Sequence, residues 1–427
     1  MTKRARRSPS ILFLLVACYV ILLPYQFEVE RQLHLAPSDS FLFLALALAA
    51  GQWRYRKPAW TIWHLAIALT FVLGTFIIAQ RFGHIERYEL LNKDVGLLLP
   101  FLSYAAITSA VVSWTDIRRL LKVFVLGVVA ENILAVAGFL ASYFYGIANP
   151  FARYEGLRLS GMLLDPNAYG SLLVAALVIC EAASWGEFPL FTGFTLWFAR
   201  ITLLLGILFT FSRTAWTGLG VALLLAGLIR PRVLLRPLLA GLIGGPALLL
   251  IMGHRFVPLF QRMARRPEQV QERFDLAHRA LESFARHPFF GGGIGSFRMA
   301  AGVVAHNTAM WFMADFGLAG LTVLVGFLGW FFVKAWLAYR RAPESQQPLV
   351  LSLLLAFAAM VGVAMGIEAF YQRHFWLIFA LIASSYCLTL HPESAQDAAA
   401  SSPGPSFRAR SLKDLRHRES EVLAHVY

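Results

Sequence analysis

The chain is divided into apolar stretches of bilayer length. They lie near 9–27, 38–53, 59–80, 95–114, 121–145, 167–184, 189–211, 214–230, 234–253, 308–333, 348–367 and 374–390. Hydrocarbon offers no hydrogen-bond partner to a peptide group, so a spanning run must close its own bonds as a helix. The expected fold is an all-α, polytopic transmembrane helix bundle of about 12 spans. With 58% hydrophobic residues in 427, a soluble domain could not bury the apolar surface. Trp53, Trp60, Trp63 and Trp336 fall near span ends, the depth at which indoles prefer to sit.

The charges orient the bundle. Basic clusters at Arg54–Arg56–Lys57, Arg118–Arg119–Lys122, Arg230–Arg232–Arg236 and Lys334–Arg340–Arg341 fall in alternate connections. They share a side with Lys3, Arg4, Arg6 and Arg7, and that side is cytoplasmic by the positive-inside rule. Both termini are then cytoplasmic. The connections near 28–37, 81–94, 146–166, 212–213, 254–307 and 368–373 face out, which is the periplasm for a bacterial inner membrane. The first span carries no convincing cleavage site and reads as uncleaved. The chain divides into an N-terminal transmembrane bundle (1–253), a periplasmic loop (254–307), C-terminal transmembrane helices (308–390) and a tail (391–427). The tail, rich in Ala, Ser and Pro and then basic, reads as a disordered cytoplasmic extension that touches lipid.

The net charge of +14 has two sources in this reading: cations flanking the spans, and a local excess that suits an anionic substrate. Nucleic acid is excluded as a partner, because no basic motif accompanies a soluble fold. Cys18, Cys180 and Cys387 lie within spans and far apart, so neither a disulfide nor a metal cluster is expected.

A polar island between Gly253 and His306 interrupts the apolar pattern with eight arginines, on the side where arginine is scarce. Within it Gln271 to Arg286 reads as an amphipathic helix. Leu276, Ala277, Ala280, Leu281 and Phe284 share one face, and Asp275, Arg279, Glu282 and Arg286 the other. Arg273 falls in the middle of the apolar face. A charge there needs an ion-pair partner, a snorkelling path to water, or an anionic ligand for its planar fork. The run Gly291-Gly292-Gly293-Ile294-Gly295 lacks the Lys-Ser/Thr of a phosphate loop and reads as a turn for close backbone packing. His306-Asn307 opens the next span. His306 is either a packing residue or a general base, since an imidazole can take a hydroxyl proton near neutral pH. Asp315, nine residues on, points to the opposite side of that helix and reads as a packing contact. Arg213, in Phe211-Ser212-Arg213-Thr214, sits between two spans with almost no loop and either snorkels or binds an anion. Arg158, Gly161, Asp165, Pro166 and Asn167 form another outer polar cluster, in which Asp165 caps the following helix.

Taken together these motifs resemble the O-antigen ligase and polymerase family of membrane glycosyltransferases over roughly residues 155 to 335. The resemblance rests on Arg158-Leu-Ser-Gly161 with Pro166-Asn167, Phe211-Ser212-Arg213-Thr214, and Arg273 fourteen residues before His287-Pro288-Phe-Phe-Gly291. It continues through Gly293-Ile-Gly295-Ser-Phe297, His306-Asn307 and Phe316-Gly317-Leu318-Ala-Gly320. It departs from the family at Asp315, where glutamate is frequent, and in a rather short outer loop. The resemblance implies a metal-independent, cofactor-free transfer of a glycan from undecaprenyl pyrophosphate to an acceptor hydroxyl at the periplasmic face. In a ligase the acceptor is lipid A–core; in a polymerase it is another lipid-linked glycan. His306 would be the general base, Arg213 and Arg273 would bind pyrophosphate, and Arg158 and Asn307 would support them. The chain has no Asp-x-Asp pair for a nucleotide-sugar metal. A transporter of a lipid-linked or anionic solute is the alternative of a different class, with Glu131 and Asn132 as its intramembrane polar residues.

Overall fold

A computed structural model describes residues 10–30, 33–52, 58–83, 93, 96–146, 150–153, 158–163, 165–231 and 268–390. The span expected at 234–253 lies outside these residues, as do the island's first part with Arg255, Arg262, Arg265 and Arg266, the basic N-terminus, the Arg54–Lys57 cluster and the tail.

Each of the other eleven apolar stretches carries a helix. In chain order these are α1 (Ile11–Ile21), α2 (Pro37–Gln52), α3 (Ile62–Phe82), α4 (Gly96–Ala110), α5 (Trp114–Tyr145), α6 (Pro166–Ala182), α7 (Gly193–Thr210) and α8 (Arg213–Ile229). After α9 (Glu268–Arg286) and the short α10 (Ser296–Ala301) come α11 (Thr308–Arg341), α12 (Gln347–Ala364) and α13 (Arg373–Leu390). Six of them, α3, α5, α7, α11, α12 and α13, are long and apolar enough to cross a bilayer, and α1, α2, α4, α6 and α8 are shorter apolar helices. The protein is all-α and a membrane protein. Two antiparallel hairpins depart from the expected helix-and-loop pattern: β1 (Phe27–Glu30) with β2 (Leu33–Leu35), and β3 (Ala152–Arg153) with β4 (Arg158–Leu159).

Burial sorts the helices. The apolar window of α12 is 89% buried and that of α3 only 28%. Helix α12 packs on α6, α8, α11 and α13, so it and α6 form the centre and are apolar all round, as a buried helix must be. On α3, Leu65, Leu69, Val72 and Phe76 are exposed in a row that suits lipid rather than water. Charged pairs inside the bundle are satisfied. Arg373 at the start of α13 forks onto Asp39 of α2, with Nη2 donating to Oδ2 at 3.0 Å. Glu131 of α5 accepts the Met162 N–H and the Tyr169 hydroxyl, and Tyr169 also donates to Asn132. Glu131 and Asn132, the polar residues a transporter would use, are thus engaged in packing contacts.

Helix caps end elements where the sequence signals. The Asp165 carboxylate accepts the N–H groups of Asn167 and Ala168 at 2.7 and 2.8 Å, the capping role expected of it. Helix α11 is broken at Gly317, whose φ of 65° and ψ of −157° lie in a region reserved to glycine. Leu318 and Ala319 N–H would ordinarily bond Ala314 and Asp315 carbonyls. They bond Pro288 and Phe289 carbonyls instead, and the freed carbonyls accept Gly292 and Gly293 N–H at 3.0 and 2.9 Å. The glycine run is thus spliced into the helix. On its other side Ile294 N–H bonds the Gly74 carbonyl and the Arg81 guanidinium bonds the Gly292 carbonyl, both at 3.1 Å.

Candidate functional site

The amphipathic helix forms as expected and one turn earlier, at Glu268. Leu276 and Ala280 are buried where α9 packs on α11, while Leu281, expected on the inner face, is 51% exposed. The helix is narrower in its apolar contact than the pattern suggested, because among the described residues it rests chiefly on α11, with a smaller contact to the short α10. Arg273 and Phe274 lie one turn before Leu276 and line a cavity of about 300 Å³. Its other wall is Ala305, His306, Asn307 and Met310, closed by Met365 after α12. The structure therefore brings Arg273 and His306 to one cavity.

Arg213 is not part of the cavity lining; it lies near Arg273, at the corner between α7 and α8. Phe211 ends α7 in the left-handed conformation, at φ 48°, and Ser212 caps α8 by accepting Ala215 N–H at 3.2 Å. Two residues suffice to reverse the chain, so Arg213 occupies the first position of α8. The corner is braced from behind. Arg158 is buried and donates to the Thr210 carbonyl at 2.9 Å and to Asn167 Oδ1 at 3.0 Å. Asn167 in turn accepts the Ser212 hydroxyl at 2.9 Å. Arg158 thus supports the Arg213 corner from the inside.

The two candidate arginines sense one another. Desolvation, then the Arg213 guanidinium, lower the pKa of Arg273 from its ordinary value, although the residue is exposed on the surface of α9. Gly366 marks the spot: a β-carbon there would stand 3.3 Å from Arg273 Nη1 and 1.9 Å from Thr214 Cγ2, beside Arg213. Among the described residues neither arginine has a carboxylate within salt-bridge distance. The ion-pair reading of Arg273 is therefore not what the structure shows. Two guanidiniums that repel each other are stabilised by an anion between them.

His306 sits in a strained conformation. Its φ is 50°, left-handed backbone that costs an L-residue of order 1–2 kcal/mol. The surroundings hold it there. Asn307 caps α11 by accepting Met310 N–H at 3.0 Å and donates its amide to the Met365 carbonyl at 2.9 Å. The Thr308 hydroxyl donates to the Ile367 carbonyl at 2.8 Å and accepts Ala369 N–H at 2.9 Å. Ala305 N–H bonds Glu368 Oε1 at 3.2 Å. Asn307, part of the cavity wall, thus uses its side chain to position backbone.

Asp315 belongs to a neighbouring cluster. It is buried and accepts the N–H groups of Gly295 and Phe297, the Ser296 hydroxyl and the Trp311 indole N–H, at 2.8 to 3.1 Å. It fastens α10 to α11, which matches the packing role expected. Sequence reasoning missed Glu368 and Lys93, which pair with each other near the site. Each was visible only as a charge in a short connection between apolar runs. Among the described residues no three His, Cys, Asp or Glu side chains gather as metal ligands.

No similarity to a curated protein was found. Residues 198–325, which run from α7 past the break in α11 and include Arg213, Arg273 and His306, match the family model described as O-antigen ligase.

Proposed function

We propose that this protein is a ligase-type glycosyltransferase that moves a glycan from undecaprenyl pyrophosphate to a hydroxyl of lipid A–core at the periplasmic face of the inner membrane. One observation carries the reading: Arg213 and Arg273, without carboxylate partners among the described residues, converge beside a cavity whose other wall is the strained His306. The N-termini of α8 and α11 both adjoin the Met365–Gly366 segment, through Thr214 and Asn307, and helix N-termini favour anions.

The reaction follows from those groups. The acceptor O–H attacks the anomeric carbon, and the carbon–oxygen bond to pyrophosphate breaks. His306 takes the hydroxyl proton and undecaprenyl pyrophosphate leaves as the anion. Charge grows on the leaving phosphate in the transition state, so fixed guanidiniums lower the barrier more than they stabilise the bound donor. Attack opposite the leaving group inverts the anomeric centre. The bond energy resides in the donor, and no metal is required in this scheme. The reading takes the topology expected from the charges, about 12 spans with both termini cytoplasmic and the segment 254–307 outside, under which the site faces the side where such a donor presents its glycan.

The experiment is gene deletion with complementation, read on surface glycans. Loss of long chains from lipid A–core, with lipid-linked long chains accumulating, supports a ligase. Single repeat units on the core indicate the polymerase instead. Complementation by the wild type and not by His306→Ala ties the phenotype to this site; restoration by His306→Ala removes the proposed base.

A further inference from the structure

We infer that Glu368, anchored by Lys93, is the positioning residue that holds His306 in its left-handed conformation, an inference that rests on the reading of His306 as the base. Lys93 and Glu368 form an ion pair with side chains 7% and 12% exposed. The Lys93 ammonium also lies over the rings of Trp311 and Tyr371, 4.2 and 4.8 Å from their centroids. A pair so buried contributes little net stability, since desolvation offsets the attraction. What it does here is fix a carboxylate in one place. Oε2 faces Lys93, which leaves Oε1 to accept Ala305 N–H.

That bond has no substitute. On the C-terminal side of His306, the side chains of Asn307 and Thr308 both reach the segment after α12. On the N-terminal side, Ala305 N–H to Glu368 is the one hydrogen bond made by residues 303–306 among the described residues. Without it a backbone strained at φ 50° is free to relax toward ordinary geometry and swing the imidazole. The anchor is itself located. Trp311 under Lys93 donates its indole N–H to Asp315, which holds the glycine run. The base is thus referred to the same rigid cluster that fixes α9 and Arg273.

The test compares two neutral replacements of the pair in the full chain, reconstituted in lipid with a lipid-linked glycan donor. Lys93→Met/Glu368→Gln keeps a carbonyl acceptor for Ala305, and Lys93→Met/Glu368→Met does not. Neither leaves a buried charge alone. The Met/Met variant should lose about ten-fold or more in kcat relative to Met/Gln, with KM for the donor changed by less than about two-fold, because a misplaced base impairs turnover rather than binding. Equal kcat in the two variants overturns the inference. Hydrogen exchange on the wild-type protein gives a reading independent of any variant's folding: the Ala305 amide should be protected, and exchange as fast as in an unstructured peptide overturns the inference too. His306→Ala is measured in parallel. If it turns over normally, the reading of the base fails; if it is silent while the two pair variants match, only the role of Glu368 fails.

Discussion

Gly317 meets Gly291 so closely that a β-carbon on Gly317 would stand 2.6 Å from the Gly291 amide nitrogen. This contact is where the glycine run enters the broken helix α11, and it fixes the distance between the α9 end of the site and the His306 end. Gly317→Ala faces both the clash and a backbone conformation closed to alanine. The expected loss is roughly 1–3 kcal/mol for the strained backbone alone. A thermal melt in detergent should show a clear drop; an unchanged midpoint would mean the splice is not rigid.

Asp315 makes a separate prediction. It accepts two backbone N–H groups, a hydroxyl and an indole N–H in a buried setting. Asp315→Leu strands those donors, at about 1–3 kcal/mol for a neutral donor left unsatisfied. The variant should melt lower, and its folded fraction should turn over more slowly with donor KM little changed, because the carboxylate locates Trp311 and the glycine run to which His306 and Arg273 are referred. Turnover lost without a change in melting would give Asp315 a chemical role.

Much of this arrangement was legible before the structure, and the remainder was not for definite reasons. Apolar runs dictate helices because lipid leaves the backbone no alternative, so eleven described stretches each hold one. The spacing of Leu276, Ala280 and Arg273 showed α9 and its misplaced charge. Gly317, by contrast, lies inside an unbroken apolar run, and only its partner Gly291, 26 residues away, explains the break. Lys93 and Glu368 are 275 residues apart, and nothing local to either marks the other. The αL state of His306 depends on hydrogen bonds from the segment after α12, which no periodicity reports. The β1–β2 hairpin sits where Glu28-Val29-Glu30 alternates, a strand signal too short to outweigh the flanking spans.

Arg273→Lys tests the fork. A lysine keeps the charge but offers a point donor where two phosphate oxygens are to be held together. Transfer should fall by the loss of one preorganised oxyanion contact, about 2.7–4 kcal/mol or roughly 10²–10³ in kcat. Steady-state kinetics with a lipid-linked donor decide it, and normal turnover by the lysine variant would rule out bidentate binding.

Metal removal separates this chemistry from that of metal-bridged nucleotide-sugar enzymes. If the guanidiniums alone stabilise the leaving pyrophosphate, dialysis against a chelator leaves the rate unchanged. Strong inhibition, restored by adding back a divalent cation, would place a metal in the reaction.

Gly366 offers the most specific check, because the structure predicts both the damage and its repair. A β-carbon at Gly366 would lie 1.9 Å from Thr214 Cγ2 and 3.3 Å from Arg273 Nη1. Thr214 cannot move freely: it is buried and its hydroxyl bonds Ser212 at 2.8 Å. Gly366→Ala should therefore push the Arg213 corner and the Arg273 guanidinium apart, at a cost on the order of ten-fold in transfer rate. Thr214→Ser removes only the offending methyl and keeps the hydroxyl bond to Ser212. Combined with Gly366→Ala, it should restore most of the rate. A double variant no better than Gly366→Ala would show that the packing of Thr214 on Gly366 does not set the position of the arginines.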